Sequence, residues 1–98
     1  MDEATLRERI QRHADAVLRG DMETAMADTD PEFVPRAGPV GAAMPQGIVS
    51  AEVVNVEIGD PTTVAEIHYR GEDGKTATIR SHWEERDGEP RVVFAEPV

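Results

Sequence analysis

Two turn signals constrain this chain more than anything else in it. Glu72-Asp73-Gly74 suits a three-residue hairpin loop with Gly74 in the left-handed position, and Asp87-Gly88 suits a two-residue type I′ turn. Alternating runs flank both, so strands are expected at Val49–Ile58, Thr63–Arg70, Lys75–Glu85 and Arg91–Glu96. A four-residue loop at Gly59–Thr62 joins the first two. Each loop sets a register of its own. The first hairpin places Tyr69 opposite Ala77 and Ile67 opposite Ile79. The second places Trp83 opposite Val92 and Ser81 opposite Phe94. The Gly59–Thr62 loop sets Val56 opposite Ala65 and Val54 opposite Ile67.

The three registers agree on the faces. Val54, Val56, Ile58, Ala65, Ile67, Tyr69, Ile79, Trp83, Val92 and Phe94 fall on one apolar face with Ser81, and Glu52 and Glu96 fall at its strand ends. The other face carries Glu66, His68, Arg80, His82, Glu84 and Arg91. It sets Glu66 opposite Arg80 and Glu84 opposite Arg91, pairs that favour the same register. The apolar face needs a cover, and the preceding segment supplies one. Leu6, Ile10, Ala14, Val17 and Leu18 recur at helical spacing, with Thr5–Glu8 a capping box and Asp2 an alternative cap. Gly20 suits the end of this helix, and Asp21 the start of a short second one carrying Met22, Ala25 and Met26. Asp30-Pro31 stops that helix. From Pro31 to Gly47 the prolines and glycines predict a short extended piece at Phe33–Val34, then a loop with at most one turn of helix near Ala42–Met44.

Composition bounds the rest. A chain of 98 residues makes one domain, residues 1–98. Its net charge of −10 repels phosphate backbones and anionic lipid, so neither nucleic acid nor a membrane surface is an expected partner. It has no cysteine, hence no disulfide and no thiolate metal site, in keeping with a reducing cytoplasm. Met1-Asp2-Glu3-Ala4 lacks the basic and apolar regions of a signal peptide, and no run is long enough to span a bilayer. The expected location is cytoplasmic.

The segment Gln11-Arg12-His13-Ala14-Asp15-Ala16-Val17-Leu18-Arg19-Gly20-Asp21-Met22, an acidic stretch, Phe33, and the strand Ile79–Glu85 with its Asp87-Gly88 turn resemble the NTF2-like superfamily. That superfamily includes SnoaL-like polyketide cyclases and ketosteroid isomerases. The resemblance implies an α+β fold in which N-terminal helices pack on a curved antiparallel β-sheet, the NTF2-like or cystatin-like cone. It also implies a cavity between helices and sheet, and a homodimer through the outer sheet face. Matched by motif, the isomerase tyrosine position falls on His13 and the strand aspartate position on Ser81. The base position falls near Arg36–Gly38, where no carboxylate stands. Proton transfer next to a carbonyl needs that base.

The expected function is therefore binding of a small, mostly apolar molecule, with His13, Tyr69, Ser81, Trp83 and Phe94 as ligand-binding residues. No catalytic residue, metal ligand or cofactor is assigned. A cyclase- or isomerase-type enzyme using His13 as acid–base group is one alternative. A dimerisation or protein-interaction module with a filled cavity is the other. Asp28, Asp30 and Glu32 imitate the start of a calcium loop but lack its glycine and closing glutamate. His68 and His82, both on the outer face, have no third metal ligand beside them.

Overall fold

The computed structural model describes residues 2–98. Helix α1 spans Glu3–Arg19. Asp2 caps it, accepting from the Ala4 N–H at 3.0 Å and the Thr5 hydroxyl at 2.6 Å, so Thr5 supports the cap and is not itself the cap. Leu6, Ile10 and Ala14 are buried and Val17 packs against them, whereas Leu18 remains 37% exposed. The helix ends in paired bonds, Gly20 N–H to the Val17 carbonyl (3.1 Å) and Asp21 N–H to the Ala16 carbonyl (2.8 Å). Asp21 then caps α2, Met22–Ala27, accepting from the Thr24 N–H and hydroxyl. Small side chains at Ala16 and Ala25 are buried as α2 packs back on α1.

The proline-rich segment is more helical than its sequence suggests. Val34–Arg36 makes one 3₁₀ turn and Gly38–Ala43 makes α3, with Pro35 and Pro39 in their first turns. Phe33–Val34 is thus not extended, and the helical turn expected near Ala42–Met44 is present but starts earlier, at Gly38, and ends at Ala43. The first turn of a helix leaves its N–H groups unused, so a proline there opens a helix as readily as it ends one elsewhere.

Strands β1 (Ile48–Glu57), β2 (Thr63–Gly71), β3 (Thr76–Arg86) and β4 (Glu89–Pro97) form one antiparallel sheet in chain order. Asp87 and Gly88 both have positive φ (54° and 79°), as a type I′ turn demands, and Gly74 sits at φ 85°. The central β2–β3 pair keeps the expected register without interruption, Ile67 opposite Ile79 and Tyr69 opposite Ala77. All the irregularities lie on the edge strands. Val49 and Val54 in β1 and Val93 in β4 have no cross-strand partner. These bulges curve the sheet around the helices.

The bulges also correct the expected faces, because an extra residue reverses the alternation beyond it. Val53 rather than Val54 lies opposite Ile67, and Ala95 rather than Phe94 lies opposite Ser81. Val54 is 50% exposed, and Phe94, opposite His82 on the outer face, is 39% exposed. Glu52 lies opposite His68 and Glu96 opposite Arg80, so both carboxylates belong to the outer face. Ile58 lies past the end of β1 and is exposed. Of the two expected charge pairs, Arg80 reaches Glu66 at 3.2 Å, while Glu84 bonds Thr62 and Arg86 instead of Arg91.

Helix α2 stops at Ala27, short of Asp30-Pro31, because the chain leaves the helix to run beside β4. The Val92 N–H donates to the Asp28 carbonyl (2.7 Å), and the Asp30 N–H donates to the Val92 carbonyl (2.8 Å). Part of an edge strand is thereby covered. The core lies between α1 and the inner sheet face, with Leu6, Ile10 and Ala14 against Ala65, Ile67, Tyr69, Ile79, Trp83 and Val92. The architecture is α+β, helices on a curved antiparallel sheet. Among the described residues no helix is long and apolar enough to cross a membrane.

Candidate functional site

Core packing does not fill the space between the helices and the sheet. A cavity of about 670 Å³ remains, walled by side chains such as Val17, Phe33, Val40, Met44, Ile67 and Ile79. Its rim carries Leu18, Met22 and Met26, all exposed. A wall of aliphatic and thioether groups cannot hydrogen-bond water, so an apolar guest gains from replacing water there. No aspartate or glutamate among the described residues lines it, and its one arginine, Arg19, lies 3.5 Å from Asp21.

Three of the five expected ligand residues face this cavity, His13, Tyr69 and Ser81. Trp83 does not. It is almost fully buried, with the His13 ring set edge-on at 5.5 Å between centroids. Its indole N–H donates to the Ser81 hydroxyl (2.9 Å), which donates in turn to the Ala65 carbonyl (3.1 Å). Ser81 is thus committed to the protein, and its neighbour on the chain of bonds is a tryptophan with no basic atom. Phe94 lies away from the cavity because of the β4 bulge, its ring 5.6 Å from Phe33 and 5.3 Å from His82.

Tyr69 is different. Its side chain is buried, and among the described residues nothing hydrogen-bonds its hydroxyl. Burial pushes its pKa well up, because a phenolate would have to lose its water. The phenol therefore stays protonated and keeps a donor at the cavity wall.

The residue that most shapes the site is Asp28, which sequence reasoning set aside as part of a false calcium loop. Its carboxylate is 1% exposed and receives the Arg12 Nη2 at 2.7 Å, the His13 Nδ1 at 3.4 Å and, more distantly, Arg9 Nη1 at 3.7 Å. Burial pushes its pKa up, but hydrogen bonds from His13 and Arg12, with the positive charge they bring, outweigh burial and hold it below the usual carboxylate value. An ionised carboxylate only accepts, so the proton it meets on His13 is carried by Nδ1. In neutral His13 this leaves Nε2, on the far side of the ring, as an acceptor without a protein partner among the described residues. One signal for Asp28 did exist in the sequence. Arg9, Arg12 and His13 share one side of α1 at spacings of three and four, a basic patch beside the apolar stripe that an acid from a packed neighbour can meet.

The remaining expectations resolve simply. His68 bonds Thr78 (2.9 Å) and His82 packs on Phe94, so the two outer-face histidines have separate partners. Among the described residues no three groups of metal-ligating type come together. Arg36 and Gly38, where the resemblance would put an isomerase base, are both exposed. Comparison with protein families, curated proteins and solved structures finds no match for this chain.

Replacing Asp28 tests its part in the fold. A group whose folded pKa is lowered stabilises above its unfolded pKa, and that stability is lost as pH falls through the folded value. Asp28→Asn is expected to lower stability at neutral pH by roughly 3–5 kcal/mol in urea unfolding. The gap to the parent chain should narrow as pH drops below about 3.9, the ordinary aspartate value. A gap that stays constant with pH would contradict this assignment.

Proposed function

We propose that this chain is a short NTF2-like cone that binds a small, mostly apolar molecule between its helices and its sheet. The observation that carries this reading is the cavity of about 670 Å³, apolar over most of its wall, with the unpartnered phenol of Tyr69 and the ring of His13 among its few polar groups. Its volume falls in the range of small-molecule pockets, roughly 300–1,000 Å³. Polar groups that are few and free orient a ligand, while the apolar wall supplies the affinity.

The His13–Asp28 pair favours a second reading, an acid–base enzyme, since a carboxylate orients the imidazole. Against it stand the Arg36–Gly38 stretch, which holds no carboxylate, and the Ser81 hydroxyl, already bonded to Ala65. The filled-cavity module is the least supported, because neither Trp83 nor Phe94 is among the residues that line the cavity. A cytoplasmic location belongs to the proposal on the ground of the cysteine-free, acidic composition.

A homodimer through the outer sheet face is part of the same reading. Val54 and Phe94 are exposed there, apolar side chains that a second copy of the chain would cover.

Both parts have direct tests. Propylbenzene is expected to raise the unfolding free energy, by about 2.7 kcal/mol at a hundred times its Kd, and Val17→Trp, which fills the cavity, should abolish the gain. No gain in the parent chain would remove the ligand reading. Sedimentation at micromolar concentration should show a dimer that Phe94→Arg converts to monomer, and a monomeric parent chain would remove the dimer.

A further inference from the structure

The polar groups at the cavity wall are few enough to account for one by one. Ser81 is occupied by Trp83 and the Ala65 carbonyl, and the Thr29 hydroxyl donates to the Ala25 carbonyl at 3.1 Å. Arg19 stands near Asp21 (3.5 Å). With the Thr29 and Ser81 hydrogens committed, the polar side chains left without a protein partner among the described residues are Tyr69, whose O–H is free to donate, and neutral His13 at Nε2, which can only accept. The acceptor exists because Asp28 takes the proton-bearing Nδ1. A complementary guest must return the pattern with an oxygen that accepts and an O–H that donates. Charge is unwelcome. No acid lines the wall to meet a cation, an anion would face the Nε2 lone pair, and the chain as a whole carries −10.

We infer that the ligand of this cavity is a neutral alcohol or phenol on an otherwise apolar body, its hydroxyl donating to His13 Nε2 while the Tyr69 phenol donates to a ligand oxygen. This rests on the cavity being a binding site, and it names the chemical class the site selects. Hydrocarbons of the same shape fit the wall but leave both polar groups unpaired. Carboxylates offer acceptors only, and bring a charge the wall does not balance.

Trp83, the one tryptophan in the chain, lies edge-on to His13 and reports on the site directly. The test is a titration of the intact chain, followed by tryptophan-selective fluorescence and by calorimetry at mildly alkaline pH. The probes are para-propylphenol, propylbenzene and para-propylbenzoate. The phenol is expected to bind about five- to tenfold more tightly than propylbenzene, the ratio that one net hydrogen bond or slightly more confers, and more tightly still than the benzoate. In Tyr69→Phe and in His13→Phe the phenol-to-hydrocarbon ratio should fall toward one. A ratio within each variant cancels any general loosening of the cavity. Equal affinity for phenol and hydrocarbon in the parent chain would overturn this inference and leave the apolar-ligand reading standing. Tightest binding of the benzoate would also overturn it, and would shift attention to Arg19. Binding of none of the three would overturn both the inference and the reading it rests on.

Discussion

One buried carboxylate holds the three parts of this fold in register. Asp28 sits where α2 ends, and its side chain is gripped by Arg12 and His13 of α1, with Arg9 close by. Its own carbonyl accepts from Val92 in β4, while its N–H closes the last turn of α2 on the Thr24 carbonyl (3.2 Å). Burying a charge is unfavourable unless partners replace its water, and here the partners come from separate elements. The ion cluster therefore fixes how α1, α2 and the edge of the sheet meet. It also fixes one side of the His13 ring, and so what the other side can offer.

The shape of the cavity has a second origin, in the edge strands. The central β2–β3 pair is regular, and every extra residue lies in β1 or β4. Bulges confined to the edges bend the flanks of the sheet while the middle stays aligned under α1. A flat four-stranded sheet would lie close against the helices. The curved one meets α1 at the core and leaves an apolar space beside Tyr69 and Ile79. The same bulges turn Phe94, Glu52 and Glu96 outward, so curvature and the chemistry of the two faces have one cause.

Much of this was legible in the sequence. Turn residues carry local geometry, which is why Asp87-Gly88 and Gly74 set the hairpins and why the β2–β3 pairing agreed along its length. Helix caps at Asp2, Gly20 and Asp21 could be read for the same reason. Bulges could not. Val49, Val54 and Val93 look like any other β-branched strand residue, and only the competition between strand pairing and core packing selects the one left unpaired. That selection decided the side on which Phe94 falls. In the site, His13, Tyr69 and Ser81 were found from alternation and helical spacing, but their roles differ for reasons that lie in tertiary contacts. Ser81 is tied up by Trp83, and Tyr69 is free. Asp28 was missed because its importance comes from three basic residues far from it in the chain, and a pattern of acids near Pro31 suggested a different chemistry.

The central claim is that Asp28 fixes the tautomer of neutral His13 and thereby leaves its Nε2 as an acceptor for a ligand. Long-range proton–nitrogen correlation spectra of the imidazole, recorded where His13 is neutral, read this directly. The account predicts that Nδ1 carries the hydrogen and that Nε2 shows the shift of an unprotonated nitrogen. A neutral ring with the hydrogen on Nε2 would contradict it.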